Sequence, residues 1–91
     1  MALRQADLLA AERDRIAPHV DRLKSVVLRV DPEAQFSLQP GHDPEFWELH
    51  AYVHPSLTDD PDLSRATAEE GTEILLDFDA AVAVVLRSRQ R

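Results

Sequence analysis

Glu45-Phe46-Trp47-Glu48-Leu49-His50-Ala51-Tyr52-Val53-His54 alternates in side-chain character, and this alternation decides the fold. Successive side chains of an extended chain point to opposite faces. Trp47, Leu49, Ala51 and Val53 therefore share one face, and Phe46, Glu48, His50, Tyr52 and His54 share the other. The first set is wholly apolar and predicts the core face of a half-buried strand. Upstream, Ala34 to Gln39 alternates in the same way, with Phe36 and Leu38 as candidates to lie beside Trp47. Pro40-Gly41-His42-Asp43-Pro44 lies between the two runs and is rich in turn formers. Two such runs joined by about five turn residues predict a β-hairpin.

Working outward from the hairpin, residues 3–30 read as helix. Leu9, Ile16, Val20, Leu23, Val27 and Val30 recur at helical spacing, and Leu8 and Val26 widen the stripe. Pro18 either kinks one long helix or opens a second one as its first residue. The apolar phase is kept across it, which favours a kink. A helix of that length spans ~42 Å, longer than a compact domain of radius of gyration ~12 Å, so residues 1–15 are expected to overhang the core. Asp31-Pro32 ends the helix, because a residue before proline avoids helical angles.

Beyond the hairpin, Asp60-Pro61 reads as an N-cap acid followed by proline at the first helical position. Leu63, Thr67, Ile74, Leu75 and Phe78 then fit a helical face. Gly71 interrupts that helix at a cost of ~1 kcal/mol relative to alanine, and a close approach to the hairpin would account for it. Ala80 to Arg87 fits either a helix or a strand. The Asp77-Phe78-Asp79 break and the Val82/Val84/Leu86 alternation favour a strand over 81–87. The expected fold class is α+β in the order α-β-β-α-β: a long N-terminal helix, a β-hairpin, a second helix and a C-terminal strand, forming a small sheet with helices on one face. The expected organisation is a single domain over residues 1–91 with a basic tail at 88–91.

Charge is unevenly distributed along the chain of 91 residues and net charge −7. Residues 1–30 carry a net +2, residues 31–79 a net −12 with Arg65 as the single base, and residues 80–91 a net +3 without an acid. An acidic middle repels phosphates and argues against nucleic acid as a partner. It suits a solvated surface or a docking face for a basic protein. There is no cysteine, hence no disulfide framework and no thiolate zinc site. No apolar run reaches the ~18–20 residues that cross a bilayer, and Met1 to Asp7 lacks the apolar stretch of a secretory signal. A cytoplasmic protein without membrane association is the expectation.

Candidate chemistry concentrates on the hairpin. Glu48, His50 and His54 line one face of the second strand, and His42 and Asp43 sit in the turn before it. Imidazole and carboxylate groups ligate zinc and similar ions, so Glu48, His50 and His42 are the candidate ligands of a divalent metal. None of the familiar ligand spacings is present, and a solvated polar strand face is the competing reading. The five serines and three threonines form no nucleophile elbow, and two glycines cannot build a phosphate loop. No catalytic or cofactor-binding residue is assigned. Glu69, Glu70 and Glu73 read as a solvated helix face. Phe46 and Tyr52 share the face of Glu48 and His50, which would need cover from a neighbouring element or a partner.

Glu48-Leu49-His50-Ala51-Tyr52-Val53-His54-Pro55, followed by Asp62 to Phe78 and then Ala81 to Leu86, resembles the second half of small nucleotidyltransferase-fold domains, which run from a hydrophobic strand through a helix to a third strand. The resemblance covers about half the chain and lies in spacing. The family's Gly-Ser signature would fall near Ser37 to Gly41, where Ser37-Leu38-Gln39-Pro40-Gly41 stands. Its paired aspartates would fall near Glu48 and His50. The resemblance, with both signatures altered, implies an inactive relative.

Two functional expectations follow. One is a small acidic, non-catalytic protein-interaction module that forms a homodimer, pairing through Leu8, Leu9 and Ile16 at the overhanging start of the first helix. The alternative is an inactive or divergent nucleotidyltransferase-like or metal-dependent enzyme using the Glu48/His50 strand face.

Overall fold

A computed structural model describes residues 5–41 and 46–89, with side chains from residue 11 onward in the first of these segments. The elements are α1 (Gln5–Leu28), β1 (Gln35–Pro40), β2 (Phe46–Val53), a short 3-10 turn (Pro55–Leu57), α2 (Pro61–Phe78) and β3 (Ala81–Ser88). The α-β-β-α-β order is the one expected. The sheet order is β1-β2-β3, with β2 in the centre.

β1 and β2 form the predicted antiparallel hairpin, with Phe36 opposite Ala51 and Leu38 opposite Leu49. The ambiguous last segment is a strand, and it lies parallel to β2, with Trp47 opposite Val82 and Leu49 opposite Val84. A parallel neighbour requires a crossover, and α2 supplies it. These registers gather Phe36, Leu38, Trp47, Leu49, Ala51, Val53, Val82, Val84 and Leu86 on one face. Both helices pack there: Ile16, Val20 and Leu23 of α1 and Ile74 of α2 cluster with Trp47 and Leu49, and Val27 and Leu63 cluster with Ala51 and Val53.

The helix α1 continues through Pro18 and keeps its apolar phase, so one helix is formed rather than two. Its stripe withdraws Ile16 from the surface expected to pair between copies. Ile16, Val20, Leu23 and Val27 are buried within the chain's own core, so Ile16 is not left to a partner. Leu8 and Leu9 lie outside the described side chains. Val30 follows the helix and is half-exposed.

The caps of α2 are local and readable. The Asp60 carboxylate accepts from the Asp62 N–H at 2.9 Å and the Leu63 N–H at 3.4 Å, with Pro61 as the first helical residue. At the other end Asp79 adopts φ 55° and its N–H donates to the Leu75 carbonyl at 3.0 Å. Aspartate is among the few residues that tolerate this left-handed conformation. Gly71 faces β3 rather than the hairpin: a Cβ there would stand 3.3 Å from the Val82 carbonyl oxygen. Leu75 and Phe78, expected on the inner face of α2, are 43% and 49% exposed.

The expected basic tail also differs. Ser88 belongs to β3, and Arg89 is held at both ends: its N–H donates to the Val53 carbonyl at 2.7 Å, and its guanidinium donates to the Asp31 carboxylate at 3.1 Å. Asp31 also accepts from the His54 N–H at 3.0 Å and the Glu33 N–H at 3.1 Å. One buried carboxylate thus ties the end of α1 to the ends of β2 and β3. No described helix is long and apolar enough to cross a membrane.

Candidate functional site

The second face of β2 carries the residues singled out for chemistry. Phe46, Glu48, His50 and Tyr52 point away from both helices, because each neighbours a core-facing residue along the strand. Register surrounds them with Gln35, Ser37 and Gln39 of β1 and with Ala81, Ala83, Val85 and Arg87 of β3. No described helix packs on this side.

His50 is buried despite that, at 6% exposure. It sits on the central strand, directly opposite Ser37 and Val85. Its Nε2 lies 3.0 Å from Glu48 Oε1. With the proton on Nε2, the ring donates to the carboxylate, and Nδ1 is then the free basic nitrogen. That Nδ1 is buried and has no hydrogen-bond partner among the described residues. A carboxylate that orients an imidazole in this way is the arrangement that supports metal-bound histidines. Glu48 and His50 are therefore brought together as expected, but they are two groups. Among the described residues no three His, Asp or Glu side chains converge on a point that could hold an ion. His42, the third candidate, lies outside the described residues.

The remaining candidates have structural work. His54 is exposed and caps the 3-10 turn: its Nδ1 accepts from the Ser56 N–H at 3.2 Å and lies 2.8 Å from Ser56 Oγ. Glu70 and Glu73 are not a free acidic face. Both pair with Arg22, Glu73 at 3.7 Å, and so dock α2 against α1. The Asp31–Arg89 link escaped sequence reading, since the two residues are 58 positions apart and each had a plausible local role. The signal that could have found it is a basic residue two positions beyond the predicted strand end at residue 87.

Outside the core, apolar side chains remain in water at the end of α1, where Leu28 is 38% and Val30 49% exposed, and at two further places. Phe46, at one end of the helix-free face, is 46% exposed, and Leu76 near the end of α2 is 78% exposed. Phe78 stacks on His19 of α1 with ring centroids 4.5 Å apart and is still half-exposed. Compared with known proteins, the chain matches no family model, no curated protein and no solved structure.

Proposed function

We propose that this chain is a small, acidic, non-catalytic protein-interaction module that works as a homodimer. One observation carries the reading: the three-stranded sheet has helices on one face only, while its other face mixes Phe46, Tyr52, Ala81, Ala83 and Val85 with a buried, half-partnered His50. A sheet face meant for water alternates polar side chains there, and β3 offers alanine and valine instead. The −12 stretch at residues 31–79 adds a long-range preference for basic partners. Sedimentation equilibrium on the intact chain tests the self-association. A dimer at ~100 μM is expected, well above the ~1 μM constant that ~8 kcal/mol of association gives. A monomer at that concentration sinks the reading.

A second reading is favoured by the Glu48–His50 pair: a divalent metal bound by His50 Nδ1 in a divergent nucleotidyltransferase-like or other metal-dependent enzyme. Titration calorimetry of zinc and of manganese into metal-stripped protein separates the two. Micromolar binding that disappears in His50→Ala supports it. Absence of heat, and no rise in melting temperature at excess metal, removes it.

A further inference from the structure

We propose that two copies of this chain join by antiparallel pairing of their β3 strands, continuing the three-stranded sheet across a twofold axis near Val84. This rests on the self-association reading above and places the contact at the β3 edge of the sheet rather than on its helix-free face.

The two edges of the sheet are unequal. In a strand, the N–H and C=O of one residue point to one side and those of the next residue to the other. The Arg89 N–H donates to Val53, so the odd-numbered residues of β3 address β2. The backbone groups of Val82, Val84, Leu86 and Ser88 then face the outer edge, where no described strand lies and where α2 approaches the Val82 carbonyl at Gly71. At the opposite edge the Gly41 N–H donates to Phe46. By the same alternation Phe36, Leu38 and Pro40 turn outward, and Pro40 brings no N–H. β1 is six residues long and ends in this proline, whereas β3 is eight residues long and free of proline. A short, proline-tipped edge resists strand addition, and a long valine-rich edge invites it.

The strand that fits β3 is its own copy. With Val84 opposite Val84 of the second copy, Val82 meets Leu86 and Ala83 meets Val85, so apolar residues pair on both faces. Beneath α2, a groove lined by Thr67, Ala68 and Gly71 runs along Val82, Val84 and Leu86, leaving space for side chains of the incoming strand. Charge agrees with this register. It sets Arg87 opposite Ala81, two residues along the chain from Asp79 of the second copy, twice by symmetry. Arg87 is exposed, and no ion pair engages it among the described residues.

Amide hydrogen exchange on the full chain tests the proposal at two protein concentrations, one well below and one well above a micromolar dissociation constant. The Val84 and Leu86 amides should slow about tenfold or more as the dimer fills, because the second copy supplies their acceptors. A charge swap reads the register. Arg87→Glu and Asp79→Lys, each checked for native circular dichroism, should each be monomeric alone and should pair when mixed. If the chain dimerises while Val84 and Leu86 keep exchanging as an open edge, the β3 pairing is overturned and self-association stands. If the chain is monomeric at both concentrations, both are overturned.

Discussion

Along β2, side chains one residue apart live in different surroundings. Trp47, Leu49, Ala51 and Val53 are at most 2% exposed beneath two helices, while Phe46 is 46% exposed and no described helix lies over it. The difference is not one of hydrophobicity, since phenylalanine is as apolar as any residue of the core face. It is one of what lies opposite. The helices α1 and α2 present Ile16, Val20, Leu23, Leu63 and Ile74 to the first face, and nothing comparable among the described residues faces the second. His50 sharpens the contrast. It is nearly as buried as the core face without any helix above it, because a central strand also takes shelter from its two neighbouring strands. Both kinds of burial leave one polar atom without a hydrogen-bond partner among the described residues, Trp47 Nε1 beneath the helices and His50 Nδ1 between the strands.

The largest expected effect breaks the covered face. Trp47 touches a cluster drawn from α1, α2 and β3, and the Arg13 guanidinium lies over its ring at 5.6 Å. Trp47→Ala should cost ~3–5 kcal/mol, the range for truncating a buried aromatic. Urea denaturation measures it, and a loss below ~1 kcal/mol, the size of an ordinary substitution, would show that the covered face does not depend on this side chain.

Next comes the carboxylate that closes the end of the sheet. Burial raises the pKa of Asp31, but hydrogen bonds from the His54 and Glu33 N–H groups and the Arg89 guanidinium outweigh it, and the carboxyl rests below its ordinary value. A group depressed on folding contributes stability above its unfolded pKa of ~3.9, and the contribution is lost as pH falls through the lower folded value. Asp31→Asn keeps the shape but removes the charge and one acceptor, and should cost ~1–3 kcal/mol at neutral pH. The gap between native chain and variant should narrow as pH drops below ~4. A gap that stays constant down to acid would mean that the His54 and Glu33 amides and Arg89 do not hold the Asp31 carboxylate in solution.

The legibility of the two faces follows the range of the interactions involved. The core face of β2, the hairpin, the Asp60 cap and the strand nature of Ala81 to Ser88 could all be read from the sequence, because each is set by neighbours within a few residues. The parallel pairing of β3 with β2 was not legible, since either edge of a hairpin accepts a strand of that composition. The α1 stripe was assigned partly to a second copy because its length exceeds one hairpin strand; in the fold its buried members divide between the ends of β2, Ile16 near Trp47 and Val27 near Val53. Glu48 and His50 were paired correctly by period-two spacing. The burial of His50 was missed, because alternation says which side a residue takes and not how closely the flanking strands crowd it. In the sequence Arg89 reads as a tail residue, because its acceptors, Val53 and Asp31, are distant along the chain.

The smallest expected effect probes the uncovered face, and its smallness is what makes it informative. Phe46 begins β2 opposite Ala81, half in water, with its carbonyl accepting the Gly41 N–H at 2.8 Å. That hydrogen bond is made by the backbone and survives any side-chain change. Phe46→Ser removes an exposed ring and should change the unfolding free energy by no more than ~0.5 kcal/mol, as surface substitutions do. If a partner covers the face, the same substitution should weaken that association far more than it alters the monomer, because an apolar ring of this size is worth ~1.5–3 kcal/mol when fully buried. Measuring both quantities on one variant separates the cases. A loss of monomer stability approaching that of Trp47→Ala would mean the ring is already packed within the chain, and the two faces of β2 would no longer differ in the way their exposure indicates.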